Sequence, residues 1–176
     1  MAGQDLVARL QKKFGGGVVG ANTDAVDPWI EVAPDSLVAV CDFLKAEPDL
    51  QFDMLNCISG VDYCEPDAKK AAKVDWKPHM EVVYHLSSIA KKHTLVLKVM
   101  LPRWKNDEAG QLPELPSVVN VWRAAEWHER EVYDLSGVWF AGNPDMRRIL
   151  CPEDWVGHPL RRDYEFPLEY HGIRGR

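Results

Sequence analysis

No stretch of this chain approaches the ~20 consecutive apolar residues that a membrane-crossing helix requires, so a spanning segment is not expected. Positive charge is in deficit: 21 Lys and Arg face 27 Asp and Glu, a net charge of -6. Binding to nucleic acid phosphates needs a basic surface, which sets that class of partner aside. The short runs Lys69-Lys70 and Lys91-Lys92 read as solvated loop charges. Cysteine is scarce, with four residues at 41, 57, 64 and 151 and no C-x-x-C pair. That spacing offers no clustered ligand loop for an iron-sulfur centre. Cys41 joins Leu37, Val40 and Leu44 on a helical apolar face, and Cys57 lies in a strand-like run. All four are read as structural thiols of a reducing compartment.

The motifs of several chemistries are missing too. No Gly-x-Gly-x-x-Gly follows a strand, no phosphate-cradling loop appears, and no Gly-x-Ser-x-Gly elbow exists. Gly15 to Gly17 follows a helix, which is the wrong context for a dinucleotide fingerprint. The opening MAGQDLVARLQKKF lacks a signal peptide's apolar core and the Arg/Ser-rich character of a transit peptide, so a bacterial cytoplasmic chain is the expectation.

What remains is enough chain, at 176 residues, to bury one core without staples. Asp5 to Phe14 reads as a short amphipathic helix closed by the three glycines. Val18 to Gly20 and Trp29 to Val32 are short strands. Pro34-Asp35 introduces a helix running to about Glu47, and Pro48 stops it. An apolar strand follows from Phe52 to Ser59, then a charged, proline-interrupted insertion from Glu65 to Pro78. Met80 to Leu86 and Thr94 to Leu101 are strong strands joined by a short polar link, which favours an antiparallel hairpin. Arg103 to Pro116 reads as a loop. A helix capped by Ser117 and ended by Gly137 comes next, then a short strand Val138 to Phe140. This order predicts an α+β domain, with a mainly antiparallel sheet and helices on one face. The domain is expected to occupy 1–150. Residues 151–176 lack an apolar period and form an extended tail that must lie along something else.

Cation usage points the same way. From Asn106 onward there are eight Arg and no Lys, while eleven Lys lie upstream, and four of the seven Trp (122, 127, 139 and 155) fall in that same part. Arg suits desolvated pairing with carboxylates and stacking on aromatics; both Arg and Trp are enriched at interface anchors. The tail, with Arg161, Arg162, Arg174 and Arg176, is therefore read as a docking surface, and its removal from Gly157 onward is expected to leave the domain folded.

The charges of the last helix are the most informative. Advancing ~100° per residue puts Val118, Val121, Trp122, Ala125, Val132 and Tyr133 on one face, with Glu129 in their midst and Glu131 about 200° away. A buried carboxylate needs a cation or several donors, or it becomes neutral. Glu129 is predicted to be buried, ionised and paired with one of Arg147, Arg148, Arg161 and Arg162. His128 and Glu131 have a spacing that can serve a metal, but the second histidine of a His-Glu-x-x-His site is missing. A free-standing metal-dependent hydrolase is thus the weaker reading.

These residues resemble a known signature. Glu129, Arg130, Glu131, Asp134, Gly137, Phe140, Gly142, Pro144, Asp145, Arg147, Arg148, Ile149 and Leu150 are similar to the pattern of the C subunit of respiratory complex I, the proton-pumping NADH-quinone oxidoreductase. The continuation through Trp155, Arg161, Arg162 and Asp163 also resembles it. Upstream, Val61-Asp62 and Val82 to Leu86 match more thinly. Asn143 stands where that family usually has histidine; Asn hydrogen-bonds but does not titrate, so it keeps a turn-forming role. The resemblance implies a structural subunit of the hydrophilic arm with no catalytic, cofactor-binding or metal residue of its own. FMN and Fe-S clusters would lie elsewhere in the complex, which passes electrons from NADH to quinone. The implied partners are chiefly the D subunit, and also the B and I subunits, on the cytoplasmic side of the bacterial inner membrane. The alternative is the equivalent subunit of an energy-converting hydrogenase or of a ferredoxin- or F420H2-linked dehydrogenase.

Overall fold

The computed structural model describes residues 3–175, so Arg176 lies outside the described residues. Helix α1 (Gly3–Phe14) buries Leu6 and Leu10, one turn apart, and exposes its charged face. A glycine 3-10 turn leads into β1 (Val18–Asn22), which pairs antiparallel with β2 (Trp29–Val32). Pro34–Ser36 forms a 3-10 turn before α2 (Leu37–Ala46), whose Leu37, Val40, Cys41 and Leu44 have no solvent exposure. The chain then crosses to the far edge of the sheet and forms β3 (Met54–Tyr63). The charged insertion contains only α3 (Ala68–Ala71), and β4 (His79–Ser88) and β5 (His93–Leu101) follow.

These five strands form one sheet in the order β1-β2-β5-β4-β3. The β3-β4-β5 meander is antiparallel, as expected, but β5 returns beside β2 in parallel, because the α2 crossover has carried the chain across the sheet. The two-residue period buries Met80, Val82, Tyr84 and Leu86 of β4 and Leu95, Leu97, Val99 and Leu101 of β5 on the same side. In β3 both Leu55 and Ile58 are buried although three residues apart. A register shift between Leu55 and Cys57 absorbs the extra residue. The strand also continues to Tyr63, past the expected end at Ser59.

Helix α4 (Ala125–Ser136) joins α1 and α2 in a single core cluster with these strands. It approaches β3 closely at Gly60, where an added Cβ would lie 2.9 Å from the Cβ and Oγ of Ser136 and 3.0 Å from Val132 Cγ1. The helix begins seven residues later than expected, with Ala124 rather than Ser117 in the capping position. Residues 118–124 instead make two tight turns, with Val121 and Trp122 N–H both donating to Val118 O and Ala125 N–H to Trp122 O. Their apolar spacing is helical, yet Trp122 is fixed by donating its indole N–H to Phe52 O at 3.0 Å, and Lys45 donates to Val121 O. Tertiary contacts override the periodic pattern there.

The expected loop 103–116 ends in a short strand, β6 (Glu114–Pro116), parallel to β7 (Trp139–Ala141). The tail holds a small hairpin, β8 (Glu169–Tyr170) with β9 (Ile173–Arg174). Among the described residues no helix is long and apolar enough to cross a membrane.

Because the α4–β3 contact has no room for a side chain, Gly60→Val should lift the helix. A loss of roughly 1 to 3 kcal/mol is expected for such overpacking, read as a lower denaturant midpoint with an unchanged m-value. An unchanged midpoint would show that the helix does not pack there.

Candidate functional site

The parallel pairing of β6 and β7 brings the residues after each strand to one end of the molecule. Ser117 N–H donates to Ala141 O at 2.8 Å, so Ser117-Val118 and Gly142-Asn143 lie side by side. Glu129 of α4 points into this junction and has no solvent exposure. Its carboxylate accepts from Ser117 Oγ at 2.6 Å, Val118 N–H at 2.8 Å and Asn143 Nδ2 at 2.7 Å. Burial is thus as expected, but the partner is not an arginine. Three neutral donors replace the cation, because the turns after β6 and β7 reach the carboxylate before any guanidinium does. Burial pushes the Glu129 carboxyl above its ordinary range, and the bonds from Ser117, Asn143 and Val118 only partly offset this. Ser117, expected as a helix cap, instead caps the local turn by accepting Val119 N–H at 3.1 Å. Asn143 also receives Asp145 N–H and so builds the turn that follows β7.

The arginine-carboxylate pair forms further along the helix, at Asp134. This residue has no exposure; its Oδ1 accepts Arg148 Nη1 at 2.6 Å, and its Oδ2 accepts the backbone N–H groups of Ile149, Leu150 and Cys151 at 3.0, 2.7 and 2.8 Å. Burial pushes this carboxyl upward, but the Cys151 N–H, the Arg148 guanidinium and the Leu150 and Ile149 N–H groups outweigh it, leaving Asp134 below its ordinary value. Arg148 goes on to donate to Gly157 O at 2.7 Å. Helix α4 ends on Gly137, whose φ of 72° is left-handed and where an added Cβ would meet the His158 ring at 2.6 Å. His158 is wedged against the helix terminus, within bonding distance of Asp134 O (3.0 Å from Nδ1), and burial lowers its pKa.

Arg130 is buried and donates to the carbonyls of Arg147 and Arg148, both at 3.2 Å, while meeting Asp145 at 3.1 Å. Arg147 is largely exposed and pairs with Asp145 at 2.7 Å. Glu131 is exposed, as the helical pitch predicts. Arg161 is 6% exposed, stacks 3.7 Å from the Trp104 ring centre and donates to Ser136 O and Arg103 O. Arg162 is exposed in its side chain, while its backbone N–H donates to Asp62 Oδ2 at 2.9 Å. Asp163 and Asp62 both receive Arg103, the latter through two parallel bonds of 2.7 and 2.8 Å. Trp155 packs on Phe166 and Tyr170. The segment from Gly157, expected to be dispensable for folding, is bonded to the domain through His158, Arg161 and Asp163. Arg103, Trp104 and Asn143 were not expected in these roles; Arg103 gave a signal as the first Arg after a Lys-rich stretch.

His128 and Glu131 are not brought together with further ligands, and among the described residues no group of three or more His, Cys, Asp and Glu could hold a metal ion. Chemically, the arrangement locks a backbone: two buried carboxylates and three arginines are used on N–H groups and carbonyls.

Two variants separate the carboxylates. Asp134→Asn leaves Arg148 without its charge partner, a loss of roughly 3 to 5 kcal/mol for a broken buried pair, whereas Glu129→Gln should cost about 1 kcal/mol, the scale of one neutral hydrogen bond. Their pH signatures are opposite. Asp134, held below 3.8, gives stability that is present above that value and lost as pH falls through its folded pKa. Glu129, held above 4.5, binds its proton more tightly in the folded chain, so stability declines as pH climbs from 4.5 to its folded pKa and then levels. Urea titrations between pH 3 and 7 should show that Glu129→Gln removes the second slope and retains the first. An equal loss in both variants at pH 7 would refute the assignment.

Comparison with known proteins agrees with this signature. The sequence profile of the family described as respiratory-chain NADH dehydrogenase, 30 Kd subunit, matches residues 30–170. The chain is 40% identical over 167 residues to the NADH-quinone oxidoreductase C subunit of Chloroherpeton thalassium, covering 94% of this chain and 62% of that protein. It thus spans less than two thirds of that relative's length. It is also 40% identical to the C subunit of Chlorobium phaeobacteroides, covering 94% of this chain and 90% of that protein. Among solved structures it is similar to a trypsin-resistant fragment of Nqo5, with a TM-score of 0.62 and 27% identity over 82% of this chain and 99% of that one. A chain of an archaeal membrane-bound sulfane sulfur reductase, at TM-score 0.68 and 24% identity over 94% of this chain and 86% of that one, shares the fold. The chain belongs to the family of 30 Kd subunits of respiratory-chain NADH dehydrogenase.

Proposed function

We propose that this chain is the C subunit of a bacterial NADH-quinone oxidoreductase and serves there as a cofactor-free scaffold of the hydrophilic arm. FMN and Fe-S clusters in other subunits carry electrons from NADH to quinone, coupled to proton translocation. The chain itself supplies docking surface, chiefly to the D subunit and also to the B and I subunits, on the cytoplasmic side of the inner membrane.

The observation that carries this reading is the way the signature charges are used. Asp134, Arg148, Arg130 and Arg161 bind backbone groups of their own chain, so they hold a shape rather than await a substrate. Beyond the fastened part of the tail, Phe166, Leu168 and Ile173 are 63, 76 and 73% exposed. Such a string of exposed apolar side chains is costly in water and suited to burial against a partner. Arg147 and Arg162 are also exposed and supply charges for the rim of such a surface.

Purification of the assembly from its native membrane, with identification of the attached subunits, tests the reading. The purified chain alone should be colourless; stoichiometric iron, flavin or zinc, or NADH oxidation by it, would overturn the scaffold role. Truncation after Tyr164 should leave the unfolding midpoint within about 0.5 kcal/mol, as for surface changes, yet weaken attachment and lower quinone reductase activity of the assembly. Truncation before Gly157 should also destabilise the fold, since Arg148 and Arg103 lose partners there. Unchanged assembly with the shorter tail would refute docking through it.

A further inference from the structure

The long edge of the sheet has a use that the tail does not explain. Strand β3 is outermost, paired with β4 on its inner side only, and that pairing runs without a break from Cys57 to Tyr63. Every second residue on its outer side therefore offers a backbone N–H and C=O with no strand partner among the described residues. Natural sheets blunt such edges with Lys, Pro, short length or irregularity. The opposite edge, β1, follows that rule: it is five residues long, with a register shift between Val18 and Gly20. Strand β3 is ten residues long, contains no Lys or Pro, has its one register shift confined to its start between Leu55 and Cys57, and exposes Met54 and Val61 at 46 and 37%.

A groove of about 240 Å³ runs beside this edge, lined by Ile58, Gly60, Val132, Leu135 and Leu160. Glu131, exposed on α4, is its charged wall. We infer that β3 is a strand-addition site: an extended segment of a partner subunit pairs with its outer edge as a sixth strand, sets an aliphatic side chain into the groove and meets Glu131 with a Lys or Arg. Unpaired backbone groups select an extended chain, alternate side chains meet the groove, and the lone carboxylate selects a cation. A second copy of this chain fits poorly, because it would oppose Glu131 with its own Glu131 and add another net charge of -6. This inference rests on the reading of the chain as one subunit of an assembly.

The test compares amide hydrogen exchange of the full chain alone and within the assembly purified from its native membrane. Alternate amides between Cys57 and Val61 should exchange about tenfold or more slowly in the assembly, as ladder bonding protects them. A photoreactive residue at Ser59 should cross-link to an extended segment of another subunit that carries a Lys or Arg next to an aliphatic residue. Glu131→Lys should reduce that protection while leaving the unfolding midpoint of the isolated chain unchanged. Equal exchange in both states, a cross-link to a helix, or pairing of two copies of this chain would overturn the strand-addition site. If the chain sits in the assembly but β3 exchanges freely, this inference alone fails; if it is absent from any assembly, the subunit reading fails with it.

Discussion

Asp134 brings a carboxylate with no solvent exposure to the end of α4, and Arg148 together with three successive backbone N–H groups converges on it. The chain direction after β7 depends on this contact. Residues 149–151 have no regular strand partner, so their three N–H donors would lose their shared acceptor if the carboxylate were lost. Arg148, fixed by the same group, reaches Gly157 O and so passes the constraint to the next turn. His158 then seats against Gly137, and Arg161 reaches Ser136 and Arg103. A segment without an apolar face is ordered through a relay of charge-assisted hydrogen bonds, each about twice as strong as a neutral one.

The two buried carboxylates of α4 show how different donors solve the same burial problem. Glu129 meets a hydroxyl, an amide and one backbone N–H, which lower the cost of burial without supplying charge. Asp134 meets a guanidinium as well, and its carboxyl is held below rather than above its ordinary range. The neighbourhood of Glu129 also holds Tyr84 and Cys41, whose own ionisation is suppressed by burial and by that carboxylate. The region around Glu129 is therefore a low-charge core, and the charged lock lies at the helix terminus.

Arginine is used here mostly for its geometry. Arg130, Arg148 and Arg161 each donate to main-chain carbonyls, and the Arg161 guanidinium sits over the Trp104 ring. Lysine offers neither the fork nor the planar face, which accounts for the Lys-free stretch without placing every arginine at a partner surface. The interface reading is narrowed accordingly to the apolar residues beyond Tyr164, the exposed Arg147 and Arg162, and the edge of β3.

Much of the fold was legible in the amino-acid order, because local periodicity has a direct physical meaning. The alternation in β4 and β5, the glycine after α1, Pro34 and Pro48 around α2, and Gly137 at the end of α4 each act over a few residues, and the elements appear where those signals stand. The pitch of α4 likewise placed Glu129 inside and Glu131 outside. Other features depend on contacts between distant residues, which no local pattern encodes. The parallel β6–β7 pair determines that Ser117 and Asn143, rather than an arginine, reach Glu129. The Phe52 carbonyl holds Trp122 and shortens the helix. Asp62, forty-one residues from Arg103, holds it and the strap at Arg162. Burial of Glu129 and the apolar residues of α4, and of the central strands, could be read from residue order, since it follows from local pitch and polarity; the burial of Arg130 and Asp134 could not, because the chain after β7 covers them. The partner of each buried charge could not, because it depends on which distant backbone the fold delivers to that charge first.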